Sequence, residues 1–292
     1  MSAPGAPPPD APALRAAIRA RLIATARQDS RIVGLVDYGS SSEGRADAWS
    51  DLDVALFLRD AGLPAFERDW IAWAGQFGPL LLAYIGGVGH PWTVYAANPI
   101  PLRVDFAFHA ESALEQMRAW PNAPRSVEAM VLYDATGGRL AAIAQTLVGQ
   151  PLDPVDPGAT FVSVCGDFWY YILRTLGRVR RGQAWGARQD YHSLVLNLLS
   201  ALLRLEGGAT ARWRASEAAV GLEAGLPPER LAQLERCIPG PGLTGVEAAM
   251  ARAAELGWRT CRAGAARYAR PWPEQLARDI LRLLGTAPPP DR

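Results

Sequence analysis

The chain contains no lysine, so all 30 of its basic residues are arginine. They are balanced by 29 acidic residues, which leaves a formal net charge of +1. A protein that holds a nucleic acid over a wide surface usually carries a marked positive excess. The balance therefore argues against a nucleic acid as the principal partner.

Cysteine is scarce as well. Cys165, Cys237 and Cys261 are far apart in sequence and odd in number, which argues against a disulfide framework and against a cysteine zinc site. We expect three buried, unreactive thiols in a reducing compartment.

Long apolar runs are also missing. No stretch approaches the length that spans a bilayer, and the segment that begins at Met1 lacks the positive start of a signal peptide. We therefore expect a cytoplasmic protein without a membrane partner.

The most informative stretch is residues 31–58, where apolar residues predict strands at 32–38 and 52–58 with a tight turn at Gly39 and Ser40. The second strand begins with Asp51 and Asp53. Residues two apart on a strand point to the same face, so the two carboxylates are presented together. Such neighbours repel unless a cation lies between them, and oxygen-only ligands favour Mg²⁺.

The turn ahead of these acids predicts a phosphate site. Gly39 allows the backbone to approach a phosphate closely, and Ser40 adds a hydroxyl donor. A short polar helical segment is predicted to follow, and its first N–H groups would point at the anion. A phosphate site beside a metal-binding carboxylate pair indicates phosphoryl or nucleotidyl transfer.

Gly39-Ser40, ten further residues and then Asp51-Leu52-Asp53 resemble the signature of the polymerase-beta-like nucleotidyltransferase superfamily. The resemblance implies a third carboxylate on a later strand. The strand predicted at 102–109 supplies Asp105, on the face opposite the apolar residues Val104, Phe106 and Phe108.

The resemblance also implies roles for these residues. Asp51, Asp53 and Asp105 would hold Mg²⁺ and form the catalytic group, with Asp105 acting as third ligand or as general base. The resemblance implies that the co-substrate is ATP or another nucleoside triphosphate. Its phosphates would be bound by the turn and by two arginines, and the candidate phosphate-binding residues are Gly39, Ser40, Ser41, Arg45 and Arg178.

Two positions qualify these roles. Many relatives carry arginine just before the second glycine of the turn, where this chain has Glu43, so Arg45 is the candidate replacement. Arg178 shares a predicted helix face with Arg174 and Arg181, and that stripe is either a solvated surface or a contact for the triphosphate.

Proline-rich and helical patterns predict the domain layout. We predict an α+β fold, in which a catalytic domain with a small mixed sheet flanked by helices precedes an all-α helical bundle. The predicted boundaries are a disordered tail at 1–11, the catalytic domain at 12–150, a linker at 151–157, a helical substrate-binding domain at 158–285 and a tail at 286–292.

This layout is similar to that of antibiotic nucleotidyltransferases, above all the lincosamide type and then the aminoglycoside 6-adenylyltransferase type. The resemblance implies transfer of AMP from ATP to a hydroxyl of a small molecule, with a lincosamide or an aminoglycoside as candidate acceptor. Two alternatives stay open: a toxin-type enzyme that modifies transfer RNA or protein, and an inactive nucleotide-binding protein of the same fold. A homodimer is also left open.

Overall fold

The structure is a computed structural model that describes residues 9–87, 89–153, 156–211 and 218–287. The chain divides into two compact units, Met1–Pro151 and Leu152–Arg292, which we call the sheet unit and the helical unit. The elements of the sheet unit are, in order, α1 (Ala11–Gln28), β1 (Ile32–Asp37), β2 (Leu52–Leu58), α2 (Leu63–Gly75), β3 (Leu80–Ile85), β4 (Pro91–Tyr95), β5 (Leu102–Ala110), a 3₁₀ helix (Glu111–Ala119), α3 (Val127–Met130), β6 (Val131–Asp134) and α4 (Arg139–Leu147).

The sheet unit is built on six strands in the order β3-β4-β5-β2-β1-β6. Strands β2 and β5 run parallel, and the other neighbouring pairs are antiparallel. The predicted mixed sheet with flanking helices is therefore confirmed. The strands predicted at 52–58 and 102–109 are also present, the second one residue longer.

Both faces of the central strands are covered. Val54 and Leu56 of β2 belong to the core that α1 and α2 form with one face, while Ala55 and Phe57 belong to a second core that includes α4. Burial on both faces explains why β2 is an almost continuous apolar run and not an alternating one. Asp53, the second residue of β2, interrupts the apolar run and is only half-buried.

The helical unit contains seven α-helices among its described residues. They are α5 (Pro157–Arg180), α6 (Ala184–Asp190), α7 (Asn197–Gly207), α8 (Leu222–Gly225), α9 (Pro228–Glu235), α10 (Gly242–Tyr268) and α11 (Glu274–Leu283). A π-helical segment at Tyr191–Leu196 lies between α6 and α7. The all-helical character of this half is confirmed.

Some residues of the expected N-terminal tail and linker belong to helices or cap them, and the predicted domain boundaries stay a prediction. Residues 1–8 of the expected tail lie outside the described residues, but Asp10 caps α1 by accepting from the Ala13 N–H at 3.1 Å, and Ala11 is buried. In the expected linker, Asp156 caps α5, which already begins at Pro157. Positions 154–155 and 288–292 are also outside the described residues.

Two of the three cysteines are neighbours in the fold, although they lie far apart in sequence. Helices α5 and α10 bring Cys165 and Cys261 together in the core, with 3.1 Å between their sulfur atoms. All three thiols are free and buried, as expected. Burial, together with the neighbouring thiol, holds the pKa of Cys261 well above its usual value.

Among the residues that the structure describes, no helix combines the length and the apolar character needed to cross a bilayer.

Candidate active site

The central strands bring the three predicted carboxylates together. Asp53 on β2 and Asp105 on β5 are direct partners in the parallel register, so their side chains leave the same face side by side. Asp51 precedes β2 and completes the group. One carboxylate oxygen from each of the three lies within 4.8 Å of the others.

The carboxylates of this group repel one another, and burial adds to the cost of their charges. Burial is the largest influence on Asp53, followed by the charges of Asp51 and Asp105, and together they raise its pKa to about 7. Burial and the charge of Asp51 also raise the pKa of Asp105. Like charges forced together in a half-buried place favour either protons or a cation.

Arg103 is a member of the site that the sequence pattern did not single out. It extends from β5 and forms an ion pair with the Asp51 carboxylate. The only sequence signal was its position two residues before Asp105, which places both side chains on one face.

Gly39 lies directly against the acidic group. A Cβ atom at this position would stand 2.1 Å from the Oδ2 atom of Asp53, so no side chain fits there. The sequence pattern predicted that the glycine at this position allows a phosphate to approach the backbone. The contact that the structure displays is with the carboxylate of Asp53 itself.

The prediction of a short helix after Gly39 is wrong. The chain instead makes successive tight turns, in which the Ser42 N–H donates to the Gly39 carbonyl and the Arg45 N–H donates to the Ser40 carbonyl. The argument from aligned N–H groups at a helix start therefore does not apply. Ser41 lies within these turns, half-buried.

Ser40 has an unusual environment. Its hydroxyl is buried and has no hydrogen-bond partner among the described residues. Buried polar atoms are satisfied in most proteins, so an unsatisfied hydroxyl in the turn is a candidate contact for a bound molecule.

Asp37 was missed by the sequence reasoning because it occupies the end of an apolar strand. Its carboxylate is almost fully buried and accepts a hydrogen bond from the Gly39 N–H at 3.1 Å. Arg19 of α1 approaches it to 3.8 Å. Burial outweighs these contacts and raises its pKa to about 6.

Arg45 is engaged within its own turn. Its guanidinium forms an ion pair with Glu43, whose carboxylate is nearly buried and also accepts from the Ala123 N–H at 3.3 Å. Glu43, which stands where many relatives carry arginine, thus pairs with Arg45, the residue expected to replace that arginine. A role for Arg45 in phosphate binding stays a prediction.

Arg178 lies on α5 in the helical unit and donates to the carboxylate of Asp190. Arg174 pairs with the same carboxylate at 3.1 Å. Two of the three arginines in the predicted stripe are thus anchored side by side. Their contact with a triphosphate stays a prediction, as does substrate binding by this unit.

The acidic group has the composition of a magnesium site. Three carboxylates converge, no side chain would fit between Gly39 and Asp53, and the next residue, Ser40, has a buried hydroxyl without a partner among the described residues. Hard oxygen ligands of this kind suit Mg²⁺, which keeps the rest of its coordination for water and phosphate. Asp51, Asp53 and Asp105 are the residues that would hold it.

Comparison with known proteins gives little further information. No family model and no curated protein sequence matches the chain. Among solved structures, it is similar to an aminoglycoside 6-adenyltransferase from Bacillus subtilis, with 13% identity and a TM-score of 0.43 over 93% of this chain and 97% of that one. A nucleotidyltransferase-like protein from Exiguobacterium sibiricum gives 14% identity and a TM-score of 0.38 over 93% of this chain and 88% of that one. At such scores the geometry of the site has to carry the functional argument.

Proposed function

We propose that the protein is a Mg²⁺-dependent nucleotidyltransferase that transfers a nucleoside monophosphate, AMP from ATP, to a hydroxyl of a small molecule. One observation carries the proposal: Asp51, Asp53 and Asp105 converge beside a turn that begins at Gly39. The resemblance of the sequence motif points to the same chemistry. A lincosamide or an aminoglycoside is the candidate acceptor.

In this reaction the acceptor oxygen forms a bond to the α-phosphorus while the bond to the departing pyrophosphate breaks. The hydroxyl proton passes to Asp105 or to solvent. A bound Mg²⁺ would neutralise phosphate charge as it develops. The chain itself would position the reactants, because Asp53, Asp105 and the Gly39 turn are fixed by strand register and close packing.

The direct test is incubation with Mg²⁺, labelled ATP and a panel of lincosamides and aminoglycosides, followed by detection of a nucleotidylated product. We expect transfer by the unmodified chain and a loss of at least about a hundredfold in Asp53→Asn and Asp105→Asn, since charge neutralisation and positioning supply most of the rate. Asp69→Asn, which changes an exposed acid on α2, is the matched control. Equal rates in all three variants would reject the assignment.

One observation favours an alternative. Glu43 pairs with Arg45, so the turn lacks the uncommitted arginine that many relatives bring to the triphosphate. An inactive protein that only binds nucleotide would show Mg²⁺-dependent ATP binding without release of pyrophosphate. Measuring both quantities in one preparation separates the two functions.

A further inference from the structure

The sheet carries two aromatic residues in line with the carboxylates, the exposed Tyr84 and the half-buried Trp92. In the strand register, Asp53 is the partner of Asp105, Asp105 is the partner of Trp92 on β4, and Trp92 is the partner of Tyr84 on β3. Directly paired residues share a face, so these four side chains form one row on the face of the acidic group. The rings of Trp92 and Tyr84 meet edge to face, with 5.9 Å between their centroids.

A second row widens this surface. Arg103 is the partner of Val94, and Val94 is the partner of Leu82. Leu82 is 49% exposed and Tyr84 is 43% exposed, although both are apolar residues of an edge strand. We call the surface formed by Leu82, Tyr84, Trp92 and Val94 the aromatic shelf.

The shelf is also uncharged. Between Asp69 and Arg103 the sequence contains no aspartate, glutamate, lysine or arginine. Exposed sheet edges usually carry charges that keep them soluble and unpaired. An exposed apolar surface without such charges, next to a catalytic group, is typical of a ligand-binding surface.

Trp92 is held in place from below. A Cβ atom at Gly86 would stand 2.4 Å from the indole ring, so the backbone at Gly86 lies flat against it. The indole is therefore a rigid part of the shelf, and rigid aromatic surfaces bind a partner at a low cost in side-chain entropy.

The in-line geometry of the reaction indicates which substrate lies on the shelf. Attacking and leaving oxygens in phosphoryl-type transfer lie roughly in line on opposite sides of the phosphorus. The Gly39 turn, with the unsatisfied Ser40 hydroxyl, lies on the β1 side of Asp53, whereas the shelf begins on the other side, beyond Asp105. If the turn holds the pyrophosphate portion, the attacking hydroxyl has to approach from the shelf.

We propose that the aromatic shelf binds the acceptor and selects molecules that present an apolar ring or alkyl face next to the reacting hydroxyl. This inference rests on the proposed nucleotidyl transfer and adds the acceptor class to it. The shelf makes acceptor binding depend on Tyr84 and Trp92, while ATP binding depends on the turn and the carboxylates.

The test compares neighbouring residues of β3. Tyr84→Ala removes a shelf ring, whereas Ile85→Ala removes a similarly exposed side chain that points to the opposite face, as the partner of Pro91. With the lincosamide and aminoglycoside panel and saturating ATP, we expect Tyr84→Ala to raise the KM of the modified acceptor about tenfold, the equivalent of one lost aromatic contact. The KM of ATP should change less than about twofold in either variant, within the spread of a surface substitution.

Further variants define the chemistry. Tyr84→Phe should keep the acceptor KM of the unmodified chain, since the ring and not the hydroxyl makes the contact. Trp92→Leu should raise it as Tyr84→Ala does. If the unmodified chain transfers AMP but Tyr84→Ala and Trp92→Leu leave the acceptor KM unchanged, the proposed acceptor site is overturned and the proposed function is not. If the unmodified chain transfers AMP to no member of the panel, the proposed function is overturned, and the proposed acceptor site is overturned with it.

Discussion

At the scale of single residues, Gly39 and Asp37 shape the turn at the site. Asp37 accepts the Gly39 N–H from one side, and the Asp53 carboxylate lies against the Gly39 Cα from the other. The glycine is thus fixed between two acids. Its position controls where the backbone of the turn meets the acidic group.

Gly39→Ala should reduce kcat/KM for nucleotidyl transfer by about a hundredfold, because the added methyl group would displace the Asp53 carboxylate by an ångström or more. Gly87→Ala is the control, since a Cβ atom there meets nothing within 4 Å. Thermal denaturation should reveal a fold retained in both variants. Full activity in Gly39→Ala would mean that the carboxylate of Asp53 does not need its present position.

The buried carboxyl of Asp37 should make stability depend on pH. Its pKa is raised to about 6 in the folded protein, mainly by burial, against an ordinary value of 3.8. A raised pKa means that the protonated form is favoured on folding. The contribution to stability is therefore complete below the unfolded pKa and is lost as the pH rises through about 6.

The variant Asp37→Asn has no carboxyl group to ionise at this position, so its stability should not fall in this way as the pH rises. The free energy of unfolding of the variant, relative to the unmodified chain, should increase between pH 4 and pH 7 by up to about 3 kcal/mol, from the shift in pKa. Denaturant unfolding at several pH values measures it. Asp167→Asn on the exposed surface of α5 is the control, and a difference for Asp37→Asn that does not vary with pH contradicts the prediction.

At the scale of elements, close packing of α5 against α10 depends on glycine. A Cβ atom at Gly257 of α10 would stand 2.2 Å from the Phe168 ring, and one at Gly264 would stand 2.5 Å from the Phe161 ring. Both rings are fully buried. The helices can approach this closely only where one of them has no side chain.

Gly257→Ala should lower the free energy of unfolding by about 1–3 kcal/mol through overpacking. Gly166→Ala on α5 makes the same chemical change where nothing lies within 4 Å, and it should raise stability by about 0.5–1 kcal/mol through helix propensity. Chemical denaturation compares the two. Opposite signs support the packing argument, and a stabilising Gly257→Ala would refute it.

At the scale of the whole molecule, each unit has its own hydrophobic core. The acidic group belongs to the sheet unit alone, so ligands of that group should stabilise that unit first. Thermal unfolding of the chain is then expected to depend on Mg²⁺ through the sheet unit, without a single two-state transition.

Millimolar Mg²⁺ should raise the melting temperature of the sheet unit by several degrees, because it binds only the folded acidic group and relieves the repulsion there. Asp53→Asn should melt above the unmodified chain without Mg²⁺ and respond little to its addition. Scanning calorimetry with and without a chelator measures both effects, and Na⁺ at equal ionic strength is the control. A response to Mg²⁺ retained in Asp53→Asn would place the metal elsewhere.

The sequence by itself determined the strands, the α+β class and the face on which Asp53 and Asp105 lie, because alternation along a strand is a local property with a period of two residues. It also determined the helical character of the described residues between 157 and 283, through apolar spacing. Local geometry near Gly39 was less predictable. There, tight turns replaced the expected helix because side-chain and backbone contacts with distant residues decide the conformation of a short polar segment.

Only the tertiary structure decided which strands are neighbours. The parallel pairing of β2 with β5 brings Asp105 to Asp53, and the pairing of β4 with β5 adds Trp92 beside them, although all these residues are far apart in sequence. The proximity of Cys165 to Cys261 and the fit of Gly39 against Asp53 arise in the same way. Register between distant strands and packing between distant helices depend on the whole core, which no local pattern records.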